Sequence, residues 1–154
     1  MIALTELFYD DLKHKDEFIT RGRTISDSVV TNYAGVSGDF GDIHLDREIG
    51  KTTIFGKNIA HGLCVLSVAS GLVVQTGILN KTIAFYGIQN WSFTKPVFFD
   101  DTIKVKILVL DKKESSRKDR GLIVFGINIL NQRDEVVQRG EWSVMLSRRT
   151  NGGE

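Results

Sequence analysis

Residues 38–46 read Gly-Asp-Phe-Gly-Asp-Ile-His-Leu-Asp, which gathers three carboxylates (Asp39, Asp42, Asp46) and one imidazole (His44) in a short, glycine-bearing stretch. A carboxylate and an imidazole a few residues apart can converge on one water molecule. One group then takes a proton from it while the other gives a proton to the substrate. Loops carried on a rigid scaffold often bear such groups. The plainer reading is a solvated turn in which Asp39 caps a backbone amide, and spacing alone favours it. A second pair, His61-Gly62, opens a long apolar stretch. If that stretch is a helix, its first amides have no intrahelical partner and carry the positive end of the dipole. Glycine there would let a substrate oxygen reach the N–H, as an oxyanion hole requires. Equally, Gly62 serves close packing and His61 caps the helix.

Both features need elements to position them. Residues 17–23 read as a first strand. Ser26 stands as an N-cap with Asp27 in the first turn, where negative charge suits the helix dipole. Val29, Val30, Tyr33 and Ala34 give that helix, running to about Val36, an apolar stripe. A second helix over residues 59–75 carries apolar side chains nearly all round, which predicts burial on every side. Residues 83–93, 102–110, 122–130 and 136–146 read as long strands. Ile103, Val105 and Ile107 alternate there with Lys104 and Lys106. Residues 111–120 read as a solvated hairpin loop, 131–135 as a polar turn and 148–154 as a frayed tail. The expected class is α+β, a single domain over residues 1–154 with an antiparallel sheet wrapped around one long central helix. A doubly wound parallel sheet fails, because no helices separate the last strands. A β-sandwich leaves the apolar helix unexplained.

Composition narrows the function. The 154 residues are 42% hydrophobic and 25% charged with a net charge of +1, enough for one real core and unlike a disordered chain. No basic stripe with interleaved aromatics points to nucleic acid. Cys64 is the single cysteine, so no intramolecular disulfide forms, and no Cys/His cluster has zinc spacing. No metal is expected. The N-terminus lacks a basic region followed by an apolar one, and the apolar run 63–74 is interrupted by Ser67, Ser70 and Gly71. A soluble cytoplasmic protein without a membrane partner is therefore expected. Serine-hydrolase, dinucleotide and Walker motifs are absent from the sequence.

Taken together, the motifs resemble the MaoC-like dehydratases, also called (R)-specific enoyl-CoA hydratases. The resemblance lies in Ser37-Gly38-Asp39-Phe40-Gly41-Asp42-Ile43-His44-Leu45-Asp46, in Ile59-Ala60-His61-Gly62 and in Ser70-Gly71. It continues through Trp91-Ser92-Phe93-Thr94-Lys95-Pro96-Val97-Phe98 and Asp101-Thr102, and covers nearly the whole chain. Phe8-Tyr9-Asp10-Asp11-Leu12, with Thr20-Arg21-Gly22-Arg23-Thr24, resembles the N-terminal strand of stand-alone members. The resemblance implies a hot-dog fold. It implies that Asp39, mainly as base, and His44 form a dyad that adds water to a trans-2-enoyl thioester. It further implies that the Gly62 N–H binds the thioester carbonyl and that Ser70 lies near the acyl pocket. The substrate would be an acyl-CoA or an acyl carrier protein thioester, with coenzyme A as part of the substrate and no separate cofactor. Lys51, Lys57 and Lys95 are candidates to meet its phosphates. A homodimer, or an assembly of dimers, is expected.

Gly41-Asp42 replaces the family's Asn-Pro. The loop loses a stiffening proline and gains a flexible glycine and a negative charge. Either other contacts keep its geometry, or substrate choice or rate has changed. An Asp42 facing the site would disfavour a dicarboxylyl-CoA. Two other readings compete. A hot-dog thioesterase usually carries an acid on its central helix, and residues 58–77 contain none. An inactive partner subunit or acyl-thioester binding protein would be expected to lack the Asp or the His.

Overall fold

A computed structural model describes residues 6–149. A 3-10 turn at Tyr9–Asp11 leads to two short strands, β1 (Glu17–Ile19) and β2 (Arg23–Thr24). Four helices follow: α1 (Asp27–Ser37), α2 (Asp42–Leu45), α3 (Arg47–Thr52) and α4 (Gly62–Val74). The chain then runs through four long strands, β3 (Thr82–Phe93), β4 (Thr102–Glu114), β5 (Arg120–Leu130) and β6 (Val136–Ser147). All pairings are antiparallel, in the order β1-β4-β5-β6-β3 with β2 also on β4. Alternate residues of β4 and β5 (Ile103, Val105, Ile107, Val109; Ile123, Phe125, Ile127, Ile129) are buried. With Trp142, Val144 and Leu146 of β6, they share one core with Val65, Ala69, Leu72 and Val73 of α4. This is a hot-dog fold, a curved sheet around one apolar helix.

The long strands match the alternation in the sequence, and the departures have identifiable causes. The first strand divides after Ile19. There Thr20 N–H donates to Val105 O (2.9 Å), and Val105 N–H donates back to the Thr20 hydroxyl rather than to a carbonyl (2.9 Å). A side-chain oxygen thus replaces one rung of the ladder. Residues 8–12 form the 3-10 turn instead of strand. The charged stretch expected to be all loop is strand as far as Glu114, with a register shift between Val109 and Asp111. Lys112 is spent in closing the fold: its ammonium donates to the carbonyls of Tyr9 and Leu12 and sits 4.2 Å from the Tyr9 ring centroid. The tail is held at its first two residues. Arg148 N–H donates to Asp119 O (2.8 Å), and Arg149 pairs with Asp11 (2.8 Å). Residues 150–154 lie outside the described residues.

Gly121 shows how tightly that end is packed. A Cβ there would fall 2.3 Å from the buried Tyr9 ring, which Lys112 and Arg148 clamp. Gly121→Ala should therefore lower stability by about 1–3 kcal/mol through overpacking. Calorimetry checks this, and an unchanged melting temperature would mean the ring moves freely.

One expectation fails in a useful way. Within a single chain α4 is not buried all round: Leu63 is 57% and Val74 48% exposed, with Ser67 and Gly71 on the same face. The edge strand β3 likewise exposes Phe85, Tyr86, Ile88 and Phe93. Apolar periodicity records which surfaces are greasy; it does not record whether one chain covers them. No helix among the described residues is long and apolar enough to cross a membrane.

Candidate active site

The site begins where α1 stops. Gly38 adopts φ 77°, the left-handed conformation that ends a helix, and its N–H donates to Ala34 O (2.8 Å). The chain then turns through Asp39. The Asp39 amide donates to Ser37 Oγ (3.2 Å), and Gly41 N–H donates to Asp39 Oδ1 (3.1 Å). A Cβ at Gly41 would lie 3.2 Å from Asp39 Oδ1 and 3.5 Å from His44 Cδ2, so the glycine stands directly beside both candidate groups.

The single turn α2 presents His44. Its Nδ1 lies 2.7 Å from Ile59 O. A carbonyl can only accept, so Nδ1 carries the proton and the neutral ring is left with Nε2 as its lone-pair nitrogen. The loop has lost the family's proline, yet it is firmly tied. Asn58, 4% exposed, donates to Ile43 O (2.9 Å) and Asp46 O (2.8 Å) and receives Arg47 Nη1 (3.3 Å). Gly50 makes room for it, since a Cβ there would sit 2.8 Å from Asn58. Asp46 caps α3, accepting from Glu48 N–H (2.8 Å) and Ile49 N–H (3.0 Å). Sequence reasoning missed α3 and Asn58. An Asp cap was legible at position 46, whereas a lone asparagine carries no signature. Asp42 is exposed, and its carboxylate accepts no hydrogen bond among the described residues.

His61 sits at the N-cap of α4 but makes no capping bond. Its Nε2 lies 2.9 Å from Asp39 O and 3.9 Å from Asp39 Oδ2. Its ring stacks on His44 with centroids 3.8 Å apart and planes 29° apart. The expected role as a cap is thus replaced by contact with both candidate residues.

Gly62 opens α4. No acceptor among the described residues takes its N–H, while its carbonyl receives Gln138 Nε2 (2.9 Å). Gln138 is buried and in turn accepts from Trp91 Nε1 (3.2 Å), which fixes this first turn against β6. Beside Gly62 lies an open, mainly apolar groove of about 470 Å³, bordered by Phe55, Ile59, Leu63, Phe93 and Val97. Ser70 is elsewhere. It lines a separate hollow of about 370 Å³ with Leu66, Ser67, Phe85, Ile88 and Trp142, about 12 Å along the helix from Gly62 at ~1.5 Å per residue. The structure therefore brings Asp39 and His44 together, sets Gly62 next to His61, and leaves Ser70 apart from them.

Of the three lysines, Lys95 is paired with Glu135 (2.7 Å) and Lys51 with Glu48 (2.6 Å). Asn131, Lys95 and Arg133 together hold the Glu135 carboxyl down at about 2. Lys57 lies over the Phe98 ring at 4.3 Å. Asp39, His44 and His61 each offer a ligand atom within 4.8 Å of the others. Stacked rings, however, send their lone pairs side by side rather than toward one point. His61 Nε2 is also already engaged with Asp39 O. That donor set fits a metal ion poorly.

A hot-dog domain with a carboxylate and an imidazole converging ahead of its central helix defines the class of molecule. The chain belongs to the MaoC-like domain family, whose model matches residues 11–124. It is similar to the (R)-specific enoyl-CoA hydratase of Aeromonas caviae, at 32% identity over 117 residues that make up 76% of this chain and 83% of that protein. It is also similar to the crystal structure of the MaoC-like dehydratase from Rhodospirillum rubrum. That match has 31% identity and a TM-score of 0.86, over 94% of this chain and 99% of the other. Protein MaoC of Klebsiella aerogenes is 34% identical over 100 residues, 65% of this chain; the matched stretch spans only 30% of that longer protein.

Proposed function

We propose that this protein adds water across the C2–C3 double bond of a trans-2-enoyl thioester of coenzyme A, giving the (R)-3-hydroxyacyl thioester, or runs the reverse dehydration. One observation carries the reading: the Asp39 carboxylate and the tautomer-fixed His44 ring converge with His61, the residue just before the unpartnered Gly62 amide that borders an apolar groove. Asp39 accepts a proton from water as the water oxygen bonds to C3. The π electrons move toward the thioester, whose oxygen becomes enolate-like and is held by the Gly62 N–H. Asp39 then returns to C2 the proton it took from water, so the carboxylate is regenerated and the added H and OH both come from that water. His44 Nε2 orients the water and shares in the transfer. In reverse, a proton leaves C2 and water departs from C3. The relatives named as hydratase and dehydratase are consistent with either direction. Acyl carrier protein would serve the same chemistry, because the carrier lies beyond the thioester sulfur. Ser70 lines a separate hollow, and its assignment to the acyl end of the substrate rests on the motif resemblance alone.

Crotonyl-CoA is the test substrate. Hydration removes the conjugated enoyl-thioester absorbance without releasing free thiol. Loss of absorbance with stoichiometric thiol release would make the protein a thioesterase. No change with enoyl thioesters of several chain lengths would make it a non-catalytic acyl-thioester binder.

A second copy of the chain completes the molecule. β3 is a twelve-residue edge strand with its outer side unpaired among the described residues, and an open apolar edge is a liability. Covering it together with the Leu63–Val74 face of α4 also closes the groove. Light scattering should give twice the chain mass, and Tyr86→Glu should shift the protein toward monomer. A native monomer at micromolar concentration would refute this.

A further inference from the structure

We propose that His61 is a positioning residue of the dyad, gripping Asp39 through its backbone and His44 through its ring. The kinetic part of this inference rests on the hydration reading; the structural part does not. His61 is 3% exposed, whereas the Asp39 side chain is 56% exposed. Asp39's other polar contacts are local, to Ser37 and Gly41. The bond from His61 Nε2 to Asp39 O spans 22 positions in the chain and, among the described residues, is the one hydrogen bond that ties Asp39 to a buried side chain. The Asp39 oxygen is a carbonyl and must accept, so His61 Nε2 carries the proton. Its Nδ1 is then a buried nitrogen without a partner.

A buried polar atom without a partner works against the stability of a fold. An apolar side chain could fill the same space at the start of α4 without that cost. The imidazole does two things that such a side chain could not do together. It donates to the loop that carries the carboxylate, and it offers a flat face 3.8 Å from the His44 ring. Tyr33, with ring centroids 5.1 Å away at 53°, backs His61 from another side. His44 is therefore held twice. Ile59 O fixes its tautomer and in-plane direction, and His61 fixes the tilt of its plane. Misplacement of a reacting group by about 1 Å can slow the chemistry about 10²-fold.

Two substitutions separate the contacts. His61→Gln keeps an N–H near the Nε2 position and removes the stacking face. His61→Phe keeps the face and strands the Asp39 carbonyl. With crotonyl-CoA, kcat should fall about 10-fold for His61→Gln and about 100-fold for His61→Phe, while KM stays within about threefold. Independently of activity, the imidazole 15N shifts of His44 should move in both variants and stay native in a Tyr33→Phe control. If neither variant changes kcat by more than twofold and His44 keeps its native shifts, the proposal is wrong. A loss seen only in KM, with His44 unmoved, overturns it as well. If the native protein shows no hydration at all, the hydration reading falls, and the nitrogen shifts alone decide the role of His61. Should one variant fold poorly by thermal melting, the other carries the test.

Discussion

Asp39→Asn should lower kcat for the proposed hydration of crotonyl-CoA about 10²–10⁴-fold, the usual worth of a positioned acid/base group, and leave the fold intact. The amide keeps the residue's hydrogen bonds and changes only the 3.9 Å approach of Oδ2 to His61 Nε2. An Oδ1 still accepts from Gly41 N–H (3.1 Å), and the main-chain oxygen still accepts from His61 (2.9 Å). What is lost is the capacity to take a proton. Because the side chain is over half exposed in the single chain, no burial energy changes either. Stopped absorbance assays at saturating substrate, with melting curves run in parallel, check both halves. A variant within threefold of native kcat would remove Asp39 from the chemistry.

Gly62→Ala should reduce kcat, and with it kcat/KM, by about 10²–10³-fold, the range for loss of one oxyanion donor, with the fold kept. A Cβ at position 62 would lie 2.6 Å from the Phe93 ring. Phe93 is 56% exposed in the single chain and can swing aside, so the backbone need not shift. Gly62 and Phe93 both border the groove, so the added methyl and the displaced ring would crowd a thioester oxygen approaching the N–H. A melting curve near native beside the loss of activity separates this effect from simple unfolding. Unchanged kcat/KM would show that the Gly62 amide does not meet the substrate.

The sheet and its central helix were legible because their signals are local and periodic. Ile103, Val105 and Ile107 alternate with lysines, and the run from Leu63 to Val74 contains no charge. The pairing of Asp39 with His44 was legible only through motif resemblance, since spacing alone favoured a solvated turn. Three features could not be read. Asn58 bridges three carbonyls of a loop that lies 12 to 16 positions earlier in the chain, and nothing in an isolated asparagine announces that. His61 looked like a helix cap because it precedes the apolar run; its true partners, Asp39 and His44, are fixed by tertiary geometry. The exposed face of α4 looked like core because hydrophobicity does not say whose core it joins. The loss of Asn-Pro is answered physically: the loop is braced from outside by Asn58 and His61 rather than from within by a proline ring.

The most direct measurement is a crystal structure of the Asp39→Asn variant soaked with crotonyl-CoA. The account predicts the thioester oxygen at about 3 Å from Gly62 N, within hydrogen-bond range. It also predicts C3 of the bound chain facing residue 39 and His44 Nε2 across one ordered water. A thioester bound with its oxygen away from the start of α4, or with C3 remote from both side chains, would contradict it.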